Sequence, residues 1–245
     1  MKLNPTLEFY DLFQFIYDYF NENLFNSVLP NCMIVITRKT KTFGYYSNER
    51  WVNKENIKTD ELAINPIYFS KYPLIEMLQT MAHEMVHLWQ FHFGKPSIRS
   101  YHNKEWGGKM QSIGLMPSNT GKEGGKKTGQ QMMDYPIKGG IFLKVCSELV
   151  KNSRFEKLWF DRTTTVKIET ILSLNPVISE NFLIEEPEIY NFLYSTYSID
   201  SHIYTGSSDS SKNKYQCPTC KVNVWGKRDL FLICGECSEE FEYLE

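Results

Sequence analysis

His83-Glu84-Met85-Val86-His87 places two imidazoles and a carboxylate in one short stretch. On a helix, four residues advance the chain by about 6 Å and 400°, so both rings fall on nearly the same face and can grip one zinc ion. Glu84 is turned by about 100° from His83, which lets its carboxylate reach a water at the metal, the position of a general base. In a chain of this composition the pattern arises by chance only about 0.01 times. The competing explanation, two core histidines one turn apart, would need that Glu as a coincidence.

A catalytic zinc takes a third protein ligand and keeps one position open. His92 lies nine residues beyond His83, about 180° round the same helix, and faces away. Gln90 and Phe93 stand where the metzincin pattern has Gly and His. A helix-turn-helix return after Gly94 and Pro96 can bring back either His102 or Glu105, and spacing alone leaves both open. His202, beside a Ser-rich stretch, has no partner at ligand spacing and reads as a surface histidine.

Cys217-Pro-Thr-Cys220 and Cys234-Gly-Glu-Cys237 supply four more ligands, in two matched pairs rather than the single pair of a redox motif. Four thiolates close the tetrahedron, so this second zinc is structural, and so short a segment needs it as folding energy. Cys32 and Cys146 are left over as buried thiols.

The elements that must hold these residues follow from periodicity. Leu7, Tyr10, Leu12, Phe13, Ile16, Tyr17 and Phe20 mark one face of a helix over 6–25. Short strands are predicted at 32–36, 44–46, 51–52 and 62–64, the last closed by Asn65-Pro66. Leu74, Met77, Leu78, Met81, Met85 and Leu88 predict the metal-bearing helix from just after Pro73 to Phe93, with Gly94 and Pro96 as its stop. A further helix is expected from near His102 toward Gly114, weakened by Gly107-Gly108. Residues 141–192 read as helical, interrupted at Asn175-Pro176 and Glu186-Pro187, and 207–211 as a flexible linker.

Leu62-Ala63-Ile64-Asn65-Pro66, Met81 through Gln90 and Tyr101-His102-Asn103-Lys104-Glu105-Trp106 together resemble the SprT-like family of zinc metallopeptidases, in its bacterial and phage branch. The similarity continues through Ile113–Ser118, Gly121–Gln130 and the C-terminal cysteine pairs. It implies an α+β, zincin-like fold: a helix, a small antiparallel sheet and two helices carrying the metal. It also implies that the third zinc ligand is a histidine opening the next helix, the place of His102, and that the protein is an endopeptidase acting on protein attached to DNA. The expected organisation is a metallopeptidase domain over 1–140, a helical segment and linker over 141–211, and a four-cysteine zinc ribbon over 212–245.

Charge bears on partners. Lys plus Arg number 27 against 29 Asp plus Glu, a net charge of −2, so bulk attraction to nucleic acid or an anionic membrane is not implied and any such attraction must be local. The first residues lack an apolar leader and Asp11 and Asp18 break the aromatic run behind them, so a cytoplasmic protein with no membrane span is expected. Residues 91–130 nevertheless hold seven basic against two acidic side chains. Lys122, Lys126 and Lys127 there are the candidate nucleic-acid contacts, and their glycine-rich loop lacks P-loop spacing. Residues 168–211 carry seven acidic side chains and no Lys or Arg, and are expected to shield that basic rim. The function expected is a zinc endopeptidase in which His83, His87 and His102 hold the metal and Glu84 is the base. The alternatives are a nucleic-acid-associated regulatory zinc protein without turnover, and metal-dependent hydrolysis of a non-peptide bond.

Overall fold

Asn4 caps the first helix through its side-chain oxygen, and Pro5 presets the first turn of α1 (Pro5–Phe25). A computed structural model of the chain describes residues 3–98, 101–161, 187–195, 213–227 and 229–244. Phe13, Ile16, Tyr17 and Phe20 of α1 are almost wholly buried, and each large apolar side chain so placed contributes about 1.5–3 kcal/mol. Asn26, left-handed at φ 55°, ends the helix. The chain is then folded back by Asn21, whose amide bonds both backbone groups of Leu29 at 3.0 Å.

Three strands follow: β1 (Met33–Ile36), β2 (Gly44–Val52) and β3 (Lys58–Ile64), in the spatial order β1-β3-β2. β2 pairs antiparallel with β3, but β1 pairs parallel with it, from Met33 opposite Glu61 to Ile36 opposite Ile64. The expected antiparallel sheet is therefore a mixed one. Two chain reversals separate β1 from β3, so they run in the same direction once β3 takes the centre. The strands expected at 44–46 and 51–52 are one strand, with a register shift between Ser47 and Trp51. Glu49 sits there at φ 45°, and its N–H donates to Asp60 Oδ1 at 2.7 Å.

Asn65 shows why the turn after β3 has its sequence. Its amide donates to Lys39 O and Thr42 O at 2.9 and 2.7 Å, and its oxygen accepts from Ile67 N. Gly44 opens β2 where a Cβ would lie 2.7 Å from Ala63 O and 2.8 Å from Thr80 Cγ2, so only glycine lets this strand approach α2 (Leu74–Phe93) so closely. α2 runs through the centre of the core and buries Leu74, Ile75, Leu78, Met81, Met85, Val86 and Leu88.

The turn from α2 into α3 (Lys104–Ser112) is locked by polar groups. Gln90 Nε2 donates to Asn103 Oδ1 and Glu105 Oε2, both at 2.8 Å, and Lys95 N donates to Glu105 Oε2 at 2.6 Å. His102 precedes α3 rather than opening it. Asn103 is the residue that caps α3, accepting from Trp106 N at 3.0 Å. Both Gly107 and Gly108 lie inside the helix, Gly107 because a Cβ would come within 3.2 Å of Lys127 O. β4 (Leu115–Ser118) and β5 (Met133–Pro136) form an antiparallel pair. α4 (Ile141–Leu149) packs on α1, with Phe20 and Phe142 in ring contact, and α5 (Pro187–Tyr194) packs on α2, burying Leu193. The acidic stretch 168–211, His202 and the linker at 207–211 lie outside the described residues, apart from 187–195.

The chain divides into two compact units, residues 1–199 and 200–245. In the second, β6 (Asn213–Gln216) is flanked by β7 (Asn223–Gly226) and β8 (Glu242–Leu244). None of the described helices is long and apolar enough to cross a membrane.

Candidate metal centres

α2 presents His83 and His87 on one face, as the spacing predicts, and a backbone bridge brings His102 opposite them. His102 Nε2 lies 3.0 Å from His87 Nε2 and 3.3 Å from His83 Nε2. Nitrogens at the corners of a tetrahedral zinc site, about 2.0–2.1 Å from the ion, stand roughly 3.4 Å apart. The three ring nitrogens, all within 4.8 Å of one another, are consistent with a zinc site.

Their outer nitrogens explain the convergence. His83 Nδ1 is 3.0 Å from Asp134 Oδ2, a carboxylate delivered by β5, and His102 Nδ1 is 3.1 Å from Gly129 O. A ring that donates through Nδ1 turns the lone pair of Nε2 to the centre, the tautomer a metal requires. His102 is fixed twice over, because its N–H donates to Gly129 O and its carbonyl accepts from Gly129 N. Trp106 of α3, fully buried, touches all three rings, with centroids 4.4–5.5 Å away.

Burial lowers the basicity of His87 strongly and takes His102 to about 4, with His83 adding to both shifts. Burial also opposes charge on His83, but the Asp134 hydrogen bond and the charges of Glu84 and Asp134 outweigh it and raise its pKa. Glu84 is buried beside the triad. Desolvation pushes its carboxyl up to about 6, against the pull of His83 and of a backbone hydrogen bond from Tyr46.

Other candidates stand elsewhere. His92 Nε2 pairs with Asp60 Oδ2 at 2.6 Å, away from the triad. Glu105, one of the two third-ligand candidates, is exposed and held in the α2–α3 turn rather than at the metal. Lys122, Lys126 and Lys127 are exposed and, among the described residues, form no ion pair. Their loop is closed by Asn119, which bonds both backbone groups of Lys126 at 3.0 and 2.8 Å, and it leads directly into Gly129.

Asp134, Gly129 and Trp106 are the parts of the site that spacing does not reveal. Asp134 lies 51 residues from His83, and no pattern around it sets it apart from other acidic residues. Replacing it with Asn is expected to weaken zinc binding about 10–100-fold while the fold persists, as read by titration against a competing chelator. Unchanged affinity would remove Asp134 from the site.

In the second unit, Cys217, Cys220, Cys234 and Cys237 bring their sulfurs within 4.8 Å of one another, with Cys220 and Cys234 3.7 Å apart. Zinc–sulfur bonds of about 2.3 Å at tetrahedral angles give about 3.8 Å. The two knuckles are built alike. Cys217 N donates to Val222 O and Lys221 N to Cys217 O, while Cys234 N donates to Glu239 O and Ser238 N to Cys234 O. Lys221 and Ser238, at equivalent places, both have positive φ. The cluster is compatible with a zinc ribbon.

An α+β unit with a three-histidine cluster and an adjoining glutamate is the setting of a metal-dependent hydrolase. Residues 13–123, which include that cluster, match the SprT-like family. The chain belongs to this family, which is associated with metallopeptidase activity. A 52-residue stretch is 48% identical to a Salmonella typhimurium protein known as the uncharacterized protein in the mucB 3′ region, covering 21% of this chain and 70% of that protein. No solved structure matches the chain.

Proposed function

We propose that the protein is a zinc metalloendopeptidase with a zincin-like catalytic domain over residues 1–140 and a zinc ribbon over 212–245. The observation that carries this reading is the convergence of three histidine Nε2 atoms, two of the contacts being 3.0 and 3.3 Å, beside a buried glutamate. His83, His87 and His102 would hold one zinc ion and the four cysteines a second. When bound at the histidines, zinc supplies Lewis acidity to the scissile carbonyl and the attacking water. Glu84 accepts the proton of that water as its oxygen attacks the carbonyl carbon. It then delivers the proton to the amine as the C–N bond breaks. Asp134 and Gly129 hold two of the rings in register, and Trp106 closes the floor against water.

The substrates proposed are proteins bound or crosslinked to DNA in the cytoplasm. Support comes from the basic loop beside His102, where Lys122, Lys126 and Lys127 can meet phosphates while a protein strand occupies the site. Changing all three to Ala is expected to weaken single-stranded DNA binding and to lower its salt dependence by about one unit of slope per lysine. An unchanged slope removes this loop from the interface.

The decisive assay incubates the zinc-loaded chain with a DNA-binding protein, with and without single-stranded DNA. Cleavage that a chelator stops and DNA stimulates supports the whole reading. Cleavage indifferent to DNA leaves a general peptidase. No cleavage with both zinc sites filled overturns the peptidase and favours a regulatory zinc protein.

A further inference from the structure

The β1-β3-β2 sheet meets α2 with one face, where Gly44 lies against Thr80 and Asp60 against His92. Its other face has no task in the chemistry above. Glu61 of β3 lies on that outer face and is buried although it carries a carboxylate. Tyr45 Oη donates to Glu61 Oε1 and Trp51 Nε1 to Glu61 Oε2, both at 2.7 Å. Both rings come from β2. Ser47 pairs with Glu61 and Trp51 with Thr59, so four steps on β2 meet two on β3. The inserted residues are even in number, which keeps the two rings on one face across the register shift. Met33 of β1, directly opposite Glu61, joins them there.

Trp51 and Met33 are each 44% exposed, while the polar ends of Tyr45 and Trp51 are tied down. Two rings held by one carboxylate stand side by side with little freedom to turn, so a ligand that stacks on them loses little to their ordering.

Positive charge surrounds the rings. Residues 38–58 hold six basic against two acidic side chains. Arg38 pairs with Asp161 and Lys58 with Glu49. Lys39, Lys41, Arg50 and Lys54 are exposed and, among the described residues, form no ion pair. Lys39 Nζ stands 5.9 Å from the centre of the Tyr45 ring, and the charge of Arg50 acts on the Tyr45 hydroxyl. An apolar protein partner would leave these cations without counter-charge. A strand of nucleic acid meets both needs, with phosphates for the cations and base faces for the rings. In a duplex the bases are stacked on one another, so the match is to a single strand.

We propose that this outer sheet face docks single-stranded DNA, with bases on Trp51 and Tyr45 and phosphates on Lys39 and Arg50. The inference rests on the reading of a DNA-attached substrate, which sets the choice of DNA over RNA, and is independent of the peptidase chemistry. It adds a second contact to the loop of Lys122, Lys126 and Lys127. The strand that carries it also reaches the reaction site, since a Cβ at Gly44 would lie 3.5 Å from Glu84 Cγ.

Binding tests it without turnover. Fluorescein-labelled oligo-dT, oligo-U and a DNA duplex of the same length are titrated into the zinc-loaded full chain. Oligo-dT is expected to bind about tenfold tighter than the duplex. Trp51→Ala and Tyr45→Ala should each weaken oligo-dT binding about tenfold and leave its salt dependence unchanged. Trp51→Phe, which keeps a ring, should retain most of the affinity. Lys39→Ala with Arg50→Ala should lower the salt slope by about one unit per cation. In the unaltered chain, oligo-dT carrying 5-iodouracil should crosslink to Tyr45 or Trp51 under ultraviolet light, which serves if a variant fails to fold. Unchanged affinity in both alanine variants, equal binding of the duplex, tighter binding of oligo-U, or crosslinks that miss both rings overturns the proposal. Unchanged DNA affinity with loss of self-association in Trp51→Ala would assign the face to a second copy of the chain instead. Loss of binding confined to the variant lacking Lys122, Lys126 and Lys127 removes this face alone, whereas a chain that binds no oligo-dT at all removes the DNA-attached substrate with it.

Discussion

Replacing Glu84 by Gln is expected to leave zinc bound and to reduce peptide-bond cleavage by about 10²–10⁴-fold, the range that general acid–base catalysis contributes. Gln has the size and reach of Glu but cannot take a proton at neutral pH. The three Nε2 atoms are positioned by the Asp134 and Gly129 hydrogen bonds and by the helix, none of which involves the Glu84 carboxyl. A carboxyl raised to about 6 by burial is ionised at neutral pH, yet its conjugate acid remains strong enough to return the proton to the leaving amine. His102→Ala should behave differently, losing metal and activity together. Zinc content and turnover measured on both variants separate the two roles. Full activity in Glu84→Gln would sink the assigned chemistry.

Stripping zinc from the second unit is expected to unfold it while α2 stays protected. Among the described residues 213–244, only Tyr215, Cys217 and Cys234 are buried hydrophobics, and Trp225, Phe231, Ile233 and Tyr243 are exposed by half or more. Such a unit has no apolar core to repay its chain entropy. Structural zinc in small modules contributes about 10–16 kcal/mol at pH 7, and a zinc held by the four cysteines would supply that folding energy here. Cys234→Ser in the full chain should remove amide-exchange protection across β6, β7 and β8 and open the segment to protease. Protection that survives both the substitution and a chelator would show that the strands hold without metal.

The helices were legible because one face of each meets the core: Leu12, Phe13, Ile16 and Phe20 in α1, Leu78, Met81, Met85 and Leu88 in α2. The His83/His87 pair was legible for the same reason, since helical spacing is itself the geometry. Strand order was not. Nothing local tells β1 to choose β3 over β2, and Asn48-Glu49-Arg50 interrupts the alternation that would have joined the halves of β2. His102 was expected on a helix because a turn after Gly94 suggested one. In the fold an isolated β-bridge to Gly129, later in the same chain, holds it instead. Asp134 shows the wider rule: its significance comes from what surrounds it, and periodicity carries no information about a neighbour 51 residues away.

The β4–β5 hairpin reaches two different histidines, through Asp134 at its second strand and Gly129 at the end of its loop. Releasing the metal therefore requires the ring of His83 and the ring of His102 to come free of one shared element. A metal held at these histidines would therefore be released as that hairpin peels away, and a chain with a loosened hairpin is expected to exchange it faster as well as to hold it more weakly.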